Sequence, residues 1–242
     1  MRAKGKKSIE RGVWEVLPPG VAEVKTRWRL DGKRKLTNGG GQVIGKFPSQ
    51  KTDVPVWWEY RLERDYVFLL EFDPEVLTFE SQPFRLLYER DGKARRYSPD
   101  FRVVRKTGTT IVEVKPEEKL AKYEPLFRAV RPIFRERGEE FEVVTERTIR
   151  VQPRLDNVKL LHRYARTEID DGHILHCMRF FGDKPEASLG EFESWLSGHG
   201  VGKNILYGLL YRKIVAIDIS KPIAMDSLVR FTGVPTIVRE VA

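Results

Sequence analysis

The chain has 242 residues, 40% of them apolar, which is enough for one large domain or two smaller ones with a real core. No stretch approaches the roughly 18 consecutive apolar residues of a membrane span. The opening MRAKGKKSIERG has charge but no apolar run of a secretory signal, and a single cysteine, Cys177, excludes an internal disulfide framework. A cytoplasmic protein without membrane association is expected.

The net charge of +9 is unevenly placed. Residues 1–50 hold 12 Lys+Arg against 4 Asp+Glu, a balance of +8, so the rest of the chain contributes only +1. A basic arm with interleaved aromatics, such as KTRWRLDGKRK, suits a phosphate backbone. The cations for that contact are Lys4, Lys6, Lys7, Lys25, Arg27, Arg29, Lys33, Arg34, Lys35 and Lys51. A solvated segment that only adds solubility is the alternative.

In chain order, residues 1–50 form an irregular basic arm broken at Pro18-Pro19-Gly20 and Gly39-Gly40-Gly41, with short strands expected near 21–30. Residues 55–72 read as a helix, with Pro55 near its first turn and Leu62, Tyr66, Leu69 and Leu70 at helical spacing. It stops near Asp73-Pro74. A meander follows: a strand over 84–89, a tight turn at Asp91-Gly92, a return strand over 95–104, a turn at Gly108, and a third strand over 109–115 ended by Pro116. Residues 117–137 read as a helix closed by Gly138, and 141–145 as a short buried strand. Helix, meander, helix, strand is an α/β core with a mixed sheet, assigned to residues 51–148.

From about residue 149 the pattern turns helical. Helices are predicted over 157–164 and 169–181. A capping box, Ser188-Leu189-Gly190-Glu191, opens a third that runs through Leu196. A turn over 198–202 leads to a fourth helix, 203–211, and a strand over 214–219. Residues 149–242 thus read as a helix-turn-helix with a possible wing. The second helix has few cations, so protein docking is at least as good a reading as base readout. Cys177, between Leu175, Met178 and Phe180, reads as an inert core thiol. His173 and His176 have metal-like spacing but no third ligand nearby, so they read as core or surface residues.

The chemistry concentrates in four residues. Pro99-Asp100, twelve intervening residues, then Glu113-x-Lys115 is the pattern of a metal-dependent phosphodiesterase core. Strand alternation puts Glu113 and Lys115 on one face, and a hairpin through Gly108 brings Asp100 beside Glu113. Glu63 flanks the apolar stripe of its helix and aims at the sheet. Three converging carboxylates raise one another's pKa, a penalty that a divalent cation removes, and oxygen-only ligands favour Mg²⁺, with Mn²⁺ able to substitute. Glu63, Asp100 and Glu113 are therefore the expected metal ligands, and Lys115 is a compact charge to stabilise the transition state. Taken singly, each residue has a plain alternative. Glu63 reads as a surface acid, with Glu59 one turn away competing for its role. Asp100 reads as a turn acid after Pro99, and Glu113 and Lys115 as a solvent-facing strand pair.

The run GKFPSQKTDVPVWWEYRLERDYVFLLEFDPEV, followed by SQPFRLLY, RRYSPDF and IVEVKPEEK, resembles the TnsA-type endonuclease subunit of heteromeric transposons, including CRISPR-associated ones. The resemblance is close over about residues 45–120 and looser over the C-terminal part. It implies a restriction-endonuclease-like PD-(D/E)xK fold followed by a small winged-helix-like domain. It also implies a bacterial enzyme, at the nucleoid when acting, that nicks DNA at the 5′ ends of a mobile element. A TnsB-like DDE transposase would cut and join the 3′ ends, and a TnsC-like AAA+ regulator would contact the C-terminal domain. Glu63, Asp100, Glu113 and Lys115 fall on the family's catalytic positions. A non-catalytic assembly module and a free-standing restriction or repair nuclease are the competing readings.

Overall fold

A computed structural model describes residues 28–31 and 45–233. The segments around Pro18-Pro19-Gly20 and Gly39-Gly40-Gly41, and Lys4, Lys6, Lys7, Lys25, Arg27, Lys33, Arg34 and Lys35, lie outside them. The chain divides into two compact units on either side of the Ile149–Arg150 bond.

In the first unit, β1 (Trp28–Asp31) and β2 (Gly45–Phe47) precede β3 (Val56–Trp58), and only then does α1 (Arg61–Phe72) begin. The helix predicted from residue 55 therefore starts six residues later. The run Val56-Trp57-Trp58 is β-branched and aromatic, and it pairs antiparallel with β2, Gly45 opposite Trp58. Next come β4 (Val76–Ser81), β5 (Arg85–Arg90), β6 (Lys93–Tyr97), β7 (Phe101–Arg105) and β8 (Gly108–Val114). The single return strand predicted over 95–104 is in fact two, in different sheets. β6 pairs with β5, while β7 pairs with β4 and β8. Ser98-Pro99-Asp100 makes the break, because proline lacks the N–H that a continuous ladder needs.

The main sheet runs β4-β7-β8-β9, with β9 at Glu140–Val144 parallel to β8 and the other pairs antiparallel. A parallel neighbour requires a crossover. Here it is a 3₁₀ turn at Glu117–Lys119 and α2 (Leu120–Glu136), closed by Gly138 at φ +70. The short α3 (Glu146–Ile149) ends the unit.

Both faces of this sheet are covered. Leu62, Tyr66, Val67 and Leu70 of α1 pack with Phe101, Val103, Val112 and Val114. Ile111 packs instead with Val130, Ile133 and Phe134 of α2 and with Leu86, Tyr88 and Tyr97 of the β5–β6 hairpin. Burying each such side chain stabilises by about 1.5–3 kcal/mol. The hairpin turns at Asp91 (φ +53) and Gly92 (φ +68), the two positive φ values of a type I′ turn. β1 adds a third strand to it, pairing with β5.

The second unit holds α4 (Arg154–His162), α5 (Asp171–Phe181), α6 (Leu189–Gly198) and α7 (Lys203–Tyr211). Beside them lies an antiparallel sheet, β10-β12-β11 (Ala187–Ser188, Leu228–Phe231, Val215–Ile217). The predicted capping box at Ser188 is present: its hydroxyl accepts from the Glu191 amide, and Glu191 reaches back to the Ser188 amide. A second box at Asp170 uses His173, which gives that histidine a capping role. α7 is buried from Leu206 through Tyr211, and the Lys203 ammonium pairs with Glu193 at 3.1 Å. Cys177 is fully buried, and burial pushes its thiol up to about 12, so it is inert as expected. Among the described residues no helix is long and apolar enough to cross a membrane.

Candidate active site

Asp100 sits in the link between β6 and β7. The backbone N–H of Gln82 donates to its carbonyl at 2.8 Å, which fixes the link against the end of β4. The carboxylate reaches across to β8, where its Oδ2 accepts from the Val114 amide (2.8 Å) and the Lys115 ammonium (3.2 Å). Glu113 precedes that amide by one residue. Its Oε1 lies 2.6 Å from Lys115 Nζ, and its Oε2 accepts from the Tyr97 hydroxyl at 2.6 Å. Lys115 thus bridges two carboxylates, and its head lies 5.7 Å from the centre of the Tyr123 ring. Glu63, in the first turn of α1, accepts from the Glu59 amide at 2.7 Å through Oε2.

Glu113 does not stand on a solvent-facing strand edge. It is 3% exposed and Glu63 5%. Burial, and next the charge of Asp100, push Glu63 up to about 8 and Glu113 up to about 7. Burial likewise raises Asp100, outweighing the opposing pull of Lys115 and the Val114 amide. Burial alone would lower the Lys115 ammonium, yet Asp100 and Glu113 beside it hold it above its usual range. The arrangement gathers more negative charge than one lysine neutralises.

That donor set suits a hard divalent cation. All three acids offer only oxygen, and no hydrogen bond from the described residues reaches Asp100 Oδ1 or Glu63 Oε1. As the side chains stand, no three His, Cys, Asp or Glu groups among the described residues converge into a finished metal cage. Lys115 sits against two of the three acids instead.

One contributor, Tyr97, was not evident in the sequence, and a second, Glu59, stood there only as a competitor of Glu63. Tyr97 holds Glu113 from another strand, and nothing in the spacing of RRYSPDF signals a contact to IVEVK. Glu59 is buried beside Glu63, and its charge adds to the rise in the Glu63 pKa. Lys51 also departs from its expected role in the basic arm. Its ammonium donates to the carbonyls of Leu70 (2.8 Å) and Asp73, capping the C-terminus of α1. Next to it, the Ser49 hydroxyl and the Gln50 amide donate to the buried Glu71 carboxylate (2.6 and 2.8 Å). The FPSQK run is therefore a clamp on that helix.

A mixed α/β core that brings carboxylates and one lysine together at the ends of neighbouring strands is the arrangement of a nuclease domain. Residues 73–146 match the family described as TnsA-like endonuclease N terminal, so this part of the chain is similar to a TnsA-like endonuclease domain. The matched span contains Asp100, Glu113 and Lys115, while Glu63 precedes it. No curated protein matches the chain. Such a domain implies a DNA substrate and a Tn7-like transposition setting.

Proposed function

We propose that the chain is a Mg²⁺-dependent DNA endonuclease that nicks the 5′ ends of a mobile element during cut-and-paste transposition. The observation that carries this reading is the Lys115 bridge between Asp100 and Glu113 inside a TnsA-like domain, with Glu63 close enough for Asp100 to raise its pKa. Glu63, Asp100 and Glu113 would hold the cation. Bound there, it supplies positive charge that lowers the pKa of an attacking water and neutralises a scissile phosphate.

The chain's own residues then have separate tasks. The Val114 amide fixes one oxygen of Asp100 and leaves the other toward the ligand. The Tyr97 hydroxyl fixes Oε2 of Glu113, whose Oε1 faces the Lys115 ammonium. With a cation held by the acids, the Lys115 ammonium would be free to face the charge that develops on the phosphate.

The order α6, turn, α7, strand, strand supports a winged-helix reading. We assign it to docking a TnsC-like regulator rather than to base readout, because α7 is buried along most of its length and Lys203 is neutralised by Glu193. A TnsB-like transposase would process the opposite strand. The enzyme would work in the bacterial cytoplasm, at the nucleoid.

Calorimetric titration of Mn²⁺ into wild type and Asp100→Ala tests the centre, followed by nicking assays on the reconstituted complex. Binding and nicking lost in the variant are expected. An Asp100→Ala protein that still nicked at the wild-type rate would overturn the assignment.

A further inference from the structure

The second strand of the β5–β6 hairpin carries cations that the carboxylate centre does not use, Lys93 and Arg95 on one face and Arg96 on the other. Lys93, Arg95 and Arg96 are all exposed, and among the described residues none of them forms an ion pair. This is unlike the cations of the adjoining strand and turn, each of which faces a carboxylate: Arg102 faces Glu139, Arg105 faces Asp73 and Lys106 faces Glu75. The mount beneath the three is firm. Five register pairs join β5 to β6, Leu86, Tyr88 and Tyr97 are buried against α2, and Arg90 Nη1 donates to the Pro125 carbonyl of that helix at 2.8 Å. β1 pairs with β5 on the far side of the hairpin. Arg29 pairs with Leu87 and Leu87 with Arg96, so Arg29 and Arg96 stand in one row across three strands.

The position of the hairpin matters as much as its charge. Its last residue, Tyr97, is the one that holds Glu113. Asp100 follows Arg96 by four residues. At about 3.3 Å per extended residue, Arg96 lies within about 13 Å of Asp100. Each strand of a duplex carries a phosphate every 3.4 Å or so of axis, so that reach takes in phosphates only a few nucleotides from a scissile one.

We propose that Lys93, Arg95 and Arg96 grip the phosphate backbone of the DNA duplex flanking the cleavage point. The proposal rests on the nuclease reading above, and it names a surface for the substrate of that centre. Guanidinium forks suit bidentate phosphate contacts. Contacts of this kind hold register and orientation without reading sequence.

The test is duplex binding by the full chain, followed by fluorescence anisotropy across a salt series with Ca²⁺ in place of Mg²⁺. It compares wild type, the triple variant Lys93→Ala/Arg95→Ala/Arg96→Ala, and the charge-keeping Arg95→Lys/Arg96→Lys, with circular dichroism to check the fold of each. Losing three phosphate contacts should reduce the slope of log affinity against log salt by about 2 to 3, equally for unrelated sequences, while the Lys variant keeps the wild-type slope. An unchanged slope in a folded triple variant, with wild type binding normally, overturns the hairpin proposal and leaves the nuclease reading standing. A wild-type chain that binds no duplex at low salt overturns both.

Discussion

The Tyr97 hydroxyl donates to Glu113 Oε2 at 2.6 Å, joining a strand of the hairpin sheet to the acid at the end of β8. Burial first, and then the charge of Glu113, hold that hydroxyl well above its ordinary pKa, so it stays a donor. Its ring packs near Phe134 and Phe141, with centroids 6.3 and 6.5 Å away. Tyr97→Phe keeps this packing and removes only the donor. The cost in stability is expected to be about 1–2 kcal/mol. Mn²⁺ affinity should fall further, by about tenfold or more, as it does when a group orienting a ligand is lost. Thermal melts beside Mn²⁺ calorimetry check this. A variant that melts lower yet binds Mn²⁺ like wild type would reduce Tyr97 to a packing residue.

The raised acids predict how stability depends on pH. Glu63 and Glu113 have folded pKa values of about 8 and about 7 against an ordinary 4.5. The folded state thus binds these protons more tightly than the unfolded state, so the stability they contribute is complete below about pH 4.5. It is lost as pH rises through 7 and 8. The melting temperature of the metal-free protein should decline over that window. Mg²⁺ should restore it most at the upper end, where the acids are ionised. Glu63→Gln should flatten the decline above pH 7. Melts in EDTA across pH 5 to 9 measure this, and a profile in Glu63→Gln as steep as wild type would remove Glu63 from the account.

Much of this centre was legible because strand periodicity is local. IVEVK followed by proline marks a strand with Glu113 and Lys115 on one side, and Asp91-Gly92 marks the turn above it whatever surrounds them. What could not be read depended on partners distant in sequence. Val56-Trp57-Trp58 carries no helix-breaking residue, and it becomes a strand because β2 is there to pair with it. The run from Arg95 to Val104 alternates well enough for one strand. It divides at Pro99 because its two halves have different neighbours, β5 and β8. Alternation also suggested one solvent face for β8, whereas α2 covers that side and makes Glu113 a buried acid. The Tyr97 contact follows from the same second layer.

Glu59 precedes α1 and Glu63 lies in its first turn, both are buried, and the structure gives them different parts. Glu59 offers its backbone N–H to Glu63 Oε2, while the Glu63 carboxylate has Asp100 as its strongest charged neighbour. A backbone donor survives a change of side chain, so Glu59→Gln leaves the Glu63 carboxylate held as before and removes only a neighbouring charge. Glu63→Gln keeps shape and removes a ligand. Nicking by the reconstituted complex should therefore fall by about 100-fold or more in Glu63→Gln, the scale of losing a group at a charge-stabilising centre. It should stay within about tenfold of wild type in Glu59→Gln, the lower end of the effect of a group that acts through a ligand. Mn²⁺ calorimetry on the same pair should follow the same order. If the order were reversed, with Glu59→Gln silent and Glu63→Gln active, the ligand would be the acid that precedes the helix, and α1 would serve only to cover the sheet.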